Sequence, residues 1–202
     1  MDLVSLASTS VLATAALAQS EKNQQPLVPK QQAPSFSVPD VYGQPISLAH
    51  YQGQKVLLVF ARFAGCPVCN LRFHQLEARS SEFKVKGLAV ITIYESSATV
   101  MKDYIDGQSY YSRLVPNPDE SLYKLYQVER SVGKTIKGIV KGAVGKALKG
   151  NSLYTRKVTM DGHKDRISAE FLIDEQGNIA TAYYGQYLGD ELPMESIEQF
   201  LN

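Results

Sequence analysis

The chain has 202 residues, 44% of them hydrophobic and 20% charged, enough for one domain of ordinary globular composition. Twenty-one Lys and Arg against twenty Asp and Glu leave a formal charge of +1. That excludes a general nucleic-acid binder, which needs a basic excess to neutralise phosphates. No stretch approaches the roughly 20 apolar residues of a membrane-spanning helix.

Residues 6–18, LASTSVLATAALA, are small and apolar and end in an A-x-A-like site, so they resemble a signal peptide. No Lys or Arg precedes them, which leaves the compartment open: exported if this is a leader, cytoplasmic otherwise, with the cytoplasm favoured. Residues 20–34, SEKNQQPLVPKQQAP, are polar and rich in Gln and Pro, the composition of an extended linker. We therefore expect a flexible segment over 1–33 and one folded domain over 34–202.

The domain opens with short apolar stretches broken by Pro and Gly, which predicts a small strand and hairpin. KVLLVFARF (55–63) is a continuous β-forming run, as in a strand buried on both faces. A helix is expected over 71–84, with Pro67 at or near its first turn. GLAVITIY (87–94) reads as a second buried strand and 97–105 as a helix. Residues 113–120 read as a short strand and turn, after which Asp119 caps a helix running to about Val128. AEFLIDEQGNIATAYYG (169–185) reads as a β-hairpin and 192–201 as a closing helix. This order predicts an α/β domain, a central mixed β-sheet flanked by helices on both faces.

Residues 130–150 differ from the rest: RSVGKTIKGIVKGAVGKALKG has no acid. Val132, Ile136, Ile139, Ala143 and Ala147 recur at helical spacing, with Lys134, Lys137, Lys141 and Lys149 largely on the other side. Four glycines weaken such a helix by roughly 1 kcal/mol each. We expect a basic helical insertion whose apolar stripe packs on the domain, in preference to one that binds an anionic surface, membrane or partner, as part of a redox-sensing or membrane-surface binding module.

The only cysteines are Cys66 and Cys69, in Cys-Pro-Val-Cys between a buried strand and a helix. A helix N-terminus favours an anion, so a thiolate there is stabilised and its pKa falls. Spacing of i to i+3 brings the second sulfur within reach of a sulfur bonded to the first. Redox chemistry is therefore the expected use. Three other uses stay open: half of a zinc site, for which His50, His74 and His163 offer no matching spacing; a structural disulfide closing a very short loop; and two inert core thiols.

The stretch APSFSVPDVYGQPISLAHYQGQKVLLVFARFAGCPVCNL, with FLIDEQGNI later, resembles the redoxin group. That group comprises the alkyl hydroperoxide reductase and thiol-specific antioxidant proteins, or peroxiredoxins and their relatives. The resemblance covers about 33–201. It implies a thioredoxin-like fold and reduction of hydroperoxides through a Cys66–Cys69 dithiol/disulfide, with protein disulfide exchange as the alternative. It also implies a thioredoxin- or glutathione-like external reductant, with no metal or cofactor. The peroxiredoxin pattern Pro-x-x-x-Thr/Ser-x-x-Cys places Arg62 at the proline, Cys66 at the Thr/Ser and Cys69 at the peroxide-reacting cysteine. The group's thiolate-supporting arginine has its nearest counterpart in Arg166. The cis-proline of thioredoxin-like proteins corresponds to Ser168. The two templates assign the roles oppositely, and the helix-terminus argument favours Cys66 as the attacking thiolate. Arg62 is the nearest cation to it, or else a surface arginine at a strand end.

Overall fold

A computed structural model describes residues 25–105, 107–153 and 159–202. The signal-peptide reading of 6–18 lies outside them. The packed chain begins before residue 34: the Leu27 N–H donates to the Tyr184 hydroxyl, Gln32 bridges Asn178, and Ala33 is buried.

A two-stranded hairpin, β1 (Ser37–Pro39) and β2 (Pro45–Ser47), leads through a 3₁₀ turn into β3 (Lys55–Phe60). Helices α1 (Pro67–Glu77) and α2 (Ser80–Val85) follow, then β4 (Leu88–Tyr94), α3 (Ala98–Ile105), β5 (Arg113–Pro116) and α4 (Ser121–Leu125). The basic segment is α5 (Val132–Gly138), a π-helical turn (Ile139–Ala143) and α6 (Val144–Asn151). β6 (Ala169–Ile173), β7 (Ile179–Tyr184) and α7 (Met194–Leu201) close the fold.

The five-stranded sheet has the order β5-β4-β3-β6-β7. β3 runs parallel to β4, and β4 to β5, while β6 and β7 are antiparallel additions. The central strands carry apolar side chains toward both faces, so both faces need cover. Val56, Leu58, Phe60, Ile91, Ile93 and Phe171 pack on the hairpin and on Tyr123 and Tyr126 of the α4 region. The edge-to-face contacts of Phe60 with Tyr123 (5.2 Å) and Phe171 (5.8 Å) lie in this layer. Leu57, Val59, Val90 and Leu172 face the other way, onto Leu76, Phe83, Ile197 and Leu201 of α1, α2 and α7. This is the expected mixed sheet with helices on both faces.

Three local expectations are corrected. The helix expected over 71–84 breaks at Ala78–Arg79. Glu77 there accepts the Tyr111 and Ser112 N–H groups, and Arg79 turns to pair with Glu82 and Glu198. Asp119 is not the cap of α4. Glu120 takes that position at φ 58°, its carboxylate drawn to Arg166, while the Asn117 side chain accepts the Leu122 N–H. The apolar stripe of the insertion packs inward only through its small members, Ala143 and Ala147. Gly138 and Gly150 are buried beside them, and Val132, Ile136 and Ile139 face solvent. Only the smallest residues fit there, because the helices approach the domain backbone closely. A Cβ on Gly150 would stand 1.8 Å from the Pro67 carbonyl oxygen.

Candidate active site

The redox pair sits where β3 ends and α1 begins. Pro67 occupies the first helical position, where its missing N–H costs nothing. Cys66 is the N-cap: its sulfur accepts the Cys69 N–H at 3.4 Å, filling the place usually taken by a Ser or Asp oxygen. One turn on, the Cys69 Sγ stands 2.7 Å from the Cys66 Sγ, and Cys69 Sγ itself accepts the Arg62 N–H at 3.4 Å. Both cysteines are free thiols; Cys66 is 0% and Cys69 8% exposed.

Arg62 is no surface residue. It is buried, with Nη1 3.7 Å from the Cys66 Sγ, and it is held by the carbonyls of His163 and Lys164. This environment splits the two thiols. Burial raises the Cys66 pKa, but the Cys69 S–H donor, the Arg62 charge and the N–H groups of Cys69 and Val68 outweigh it and bring the value to about 7. Burial also raises Cys69, and donating to Cys66 and facing its charge push it further, well above the ordinary thiol value. One sulfur is thus an anion near neutral pH and its neighbour a proton donor.

Arg166 lies elsewhere. Its guanidinium is committed to Glu95, Glu120 and the Val128 carbonyl, and it stacks 4.7 Å over the Tyr123 ring. The charge acting on both sulfurs comes from Arg62. Arg166 still bears on the site at one remove. Glu95, which it holds, accepts the His163 N–H, and the next carbonyl along positions Arg62. Ser168 precedes β6 and lines the cavity beside Cys69, its hydroxyl 3.4 Å from the Asp190 carbonyl. No peptide bond among the described residues is cis. His74 is exposed.

Sequence reasoning missed two features. A cavity of about 20 Å³ under α1 reaches Cys69, room on the scale of a water molecule or two. Its lining includes Arg62, Ser168, Thr92 and the buried pair Arg72–Glu170, joined by two hydrogen bonds of 2.9 and 2.5 Å. Thr92 is buried and its hydroxyl has no hydrogen-bond partner among the described residues. The signal for the ion pair was an acid inside the apolar run AEFLI, since a carboxylate buried in a central strand demands a cation. The second feature is the group Glu95, Glu120 and His163, whose ligand atoms lie within 4.8 Å of one another. It does not fit a metal site, because Arg166 already faces both carboxylates.

The model of the AhpC/TSA family matches residues 29–182, and the chain belongs to that family. Peroxiredoxin Bcp of Escherichia coli is 30% identical over 110 residues, which span 53% of this chain and 70% of its own. Peroxidoxin BcpB from Mycobacterium tuberculosis shares the fold with a TM-score of 0.60 at 14% identity, covering 87% of this chain and 94% of that one. Peroxiredoxin Q of Xanthomonas campestris does so with 0.58 at 15%, covering 87% and 92%. The fold is thioredoxin-like, and the protein is a peroxiredoxin-like, thiol-dependent oxidoreductase. Its substrates are accordingly of the peroxide or disulfide class, and its electrons come from a thiol reductant.

Proposed function

We propose that the chain reduces hydroperoxides with Cys66 as nucleophile and Cys69 as resolving thiol. The observation that carries this is the asymmetry of the pair. The Cys66 sulfur collects the Cys69 S–H, a helix-terminal N–H and the Arg62 charge. The Cys66 thiolate attacks one peroxide oxygen, an S–O bond forms and the O–O bond breaks. The departing alkoxide or hydroxide takes a proton from solvent or from Cys69. The Cys69 sulfur, as its thiolate, then attacks the sulfenic sulfur: the S–S bond of the Cys66–Cys69 disulfide forms, the S–O bond breaks, and the departing hydroxide takes a proton from solvent to leave as water. An external thiol, thioredoxin- or glutathione-like, returns the pair to two thiols.

A second assignment, Cys69 attacking, is favoured by the cavity, which reaches Cys69, and by that residue's place in the family pattern. Protein disulfide exchange ranks below both, because a protein disulfide has to reach a sulfur, and Cys66 is wholly covered while a small oxidant needs little room. Stopped-flow oxidation of the reduced protein by hydrogen peroxide, beside Cys66→Ser and Cys69→Ser, tests the proposal. The expected result is a fast first step retained in Cys69→Ser and lost in Cys66→Ser. The reverse pattern transfers the role to Cys69. A rate no better than a free thiol's, with rapid exchange against a protein disulfide, removes the peroxidase assignment.

A further inference from the structure

The segment 131–150 holds Lys134, Lys137, Lys141, Lys146 and Lys149 and no acid, in a chain whose formal charge is only +1. Its inner side is made of its smallest residues. Gly138 rests on Leu188 and Gly150 on the Pro67 carbonyl, each too close for a Cβ. The large aliphatic side chains consequently point outward: Val132, Ile136, Ile139, Val140, Val144 and Leu148 are between 51% and 82% exposed. Lys134 pairs with Glu129 and Lys146 with Glu191. Lys137, Lys141 and Lys149 make no ion pair with the described residues, and Lys137 stacks over Tyr187. Six exposed aliphatics interleaved with three lysines that have no acidic partner among the described residues form a patch on one short segment, unlike the exposed apolar residues scattered elsewhere, such as Val85 and Tyr42.

We propose that this outer face of α5–α6 docks on an anionic lipid bilayer. Charge complementarity selects that occupant. A bilayer surface offers headgroup phosphates to the lysines and acyl chains to the aliphatics within the 5–10 Å depth that an interfacial helix reaches. A second copy of the chain would set the same lysines against each other across a two-fold axis. Because α6 packs on Pro67, docking would hold the cysteine pair just beneath the lipid surface.

The test is co-sedimentation of the full chain with vesicles of phosphatidylcholine alone and of phosphatidylcholine with about a third phosphatidylglycerol. Wild type is expected to sediment with the anionic vesicles only, less so as salt rises. Lys137→Glu/Lys141→Glu and Val140→Asp/Leu148→Asp should each weaken binding about tenfold or more. Val85→Asp, on the exposed side of α2, should leave it unchanged. Circular dichroism verifies folding, and Val140→Asp alone, at the most exposed of the six positions, carries the test if a double variant unfolds. Absence of anionic binding, equal binding to neutral vesicles, or binding indifferent to these variants would overturn the proposal. A solution dimer that Val140→Asp dissociates would overturn it too, giving the face to a second copy. Binding is read equally on Cys66→Ser, so its failure leaves the redox assignment standing.

Discussion

The Arg62 charge acts on both sulfurs of the pair from an unusual place. It stands where the family pattern has proline, at the end of β3, and its side chain is folded back over the N-cap sulfur rather than out to solvent. Two backbone carbonyls from the segment before β6 hold it there. Reactivity should therefore follow the Cys66 thiolate. The rate of oxidation or alkylation is expected to rise with pH through a midpoint near 7 and level off above it. Arg62→Met removes the charge and one of the forces opposing burial, so the midpoint should move up, and a rise of about one pKa unit would lower the rate at pH 7 roughly fivefold. Thiolate absorbance at 240 nm against pH reads the midpoint directly; an unchanged midpoint would detach Arg62 from the thiolate.

The elements around the pair are tied together by buried charge as much as by apolar packing. Arg72 of α1 reaches Glu170 of β6 and the Leu192 carbonyl beyond it, which locks the helix bearing Cys69 to the centre of the sheet. Removing one partner leaves the other charged and unpaired in the core, a loss on the order of 3–5 kcal/mol. Glu170→Ala is accordingly expected to unfold at markedly lower urea than wild type, and Arg72→Met/Glu170→Leu to recover much of the difference. A shift within error for Glu170→Ala would mean the pair is not desolvated. In the insertion, the π-helical turn and Gly142, at φ 102°, separate the two arms, letting Gly138 and Gly150 each settle on the domain.

At the scale of the whole molecule, the split thiols couple protonation to stability. Folded Cys66 titrates near 7, below the ordinary thiol value of 9.0, so the folded state gives up its proton first. The stabilisation is fully present above about pH 9 and is lost as pH falls through about 7. Reduced wild type should gain on the order of 1–2 kcal/mol over that interval relative to Cys66→Ser. The raised pKa of Cys69 opposes the gain only at higher pH. Denaturant melts of the reduced protein at pH 6, 7, 8 and 9 measure the slope, and parallel profiles for wild type and variant would count against a low-pKa Cys66.

The sheet strands, the 169–185 hairpin and the Cys-Pro-Val-Cys helix start were legible along the chain, because each rests on local pattern: apolar runs, a Gly-containing turn, and a proline just after the N-cap. Arg62 and Ser168 were nameable for the same reason, by their distance from a motif. The Arg72–Glu170 pair, the removal of Arg166 to Glu95 and Glu120, and the inward turn of Gly138 and Gly150 were not. Those depend on which residues far apart in sequence meet in a low-dielectric interior, and on how closely two backbones approach. Periodicity located an amphipathic insertion, but only tertiary packing decided which of its sides the domain accepts: the side without bulk, leaving the valines, isoleucines and leucine outside.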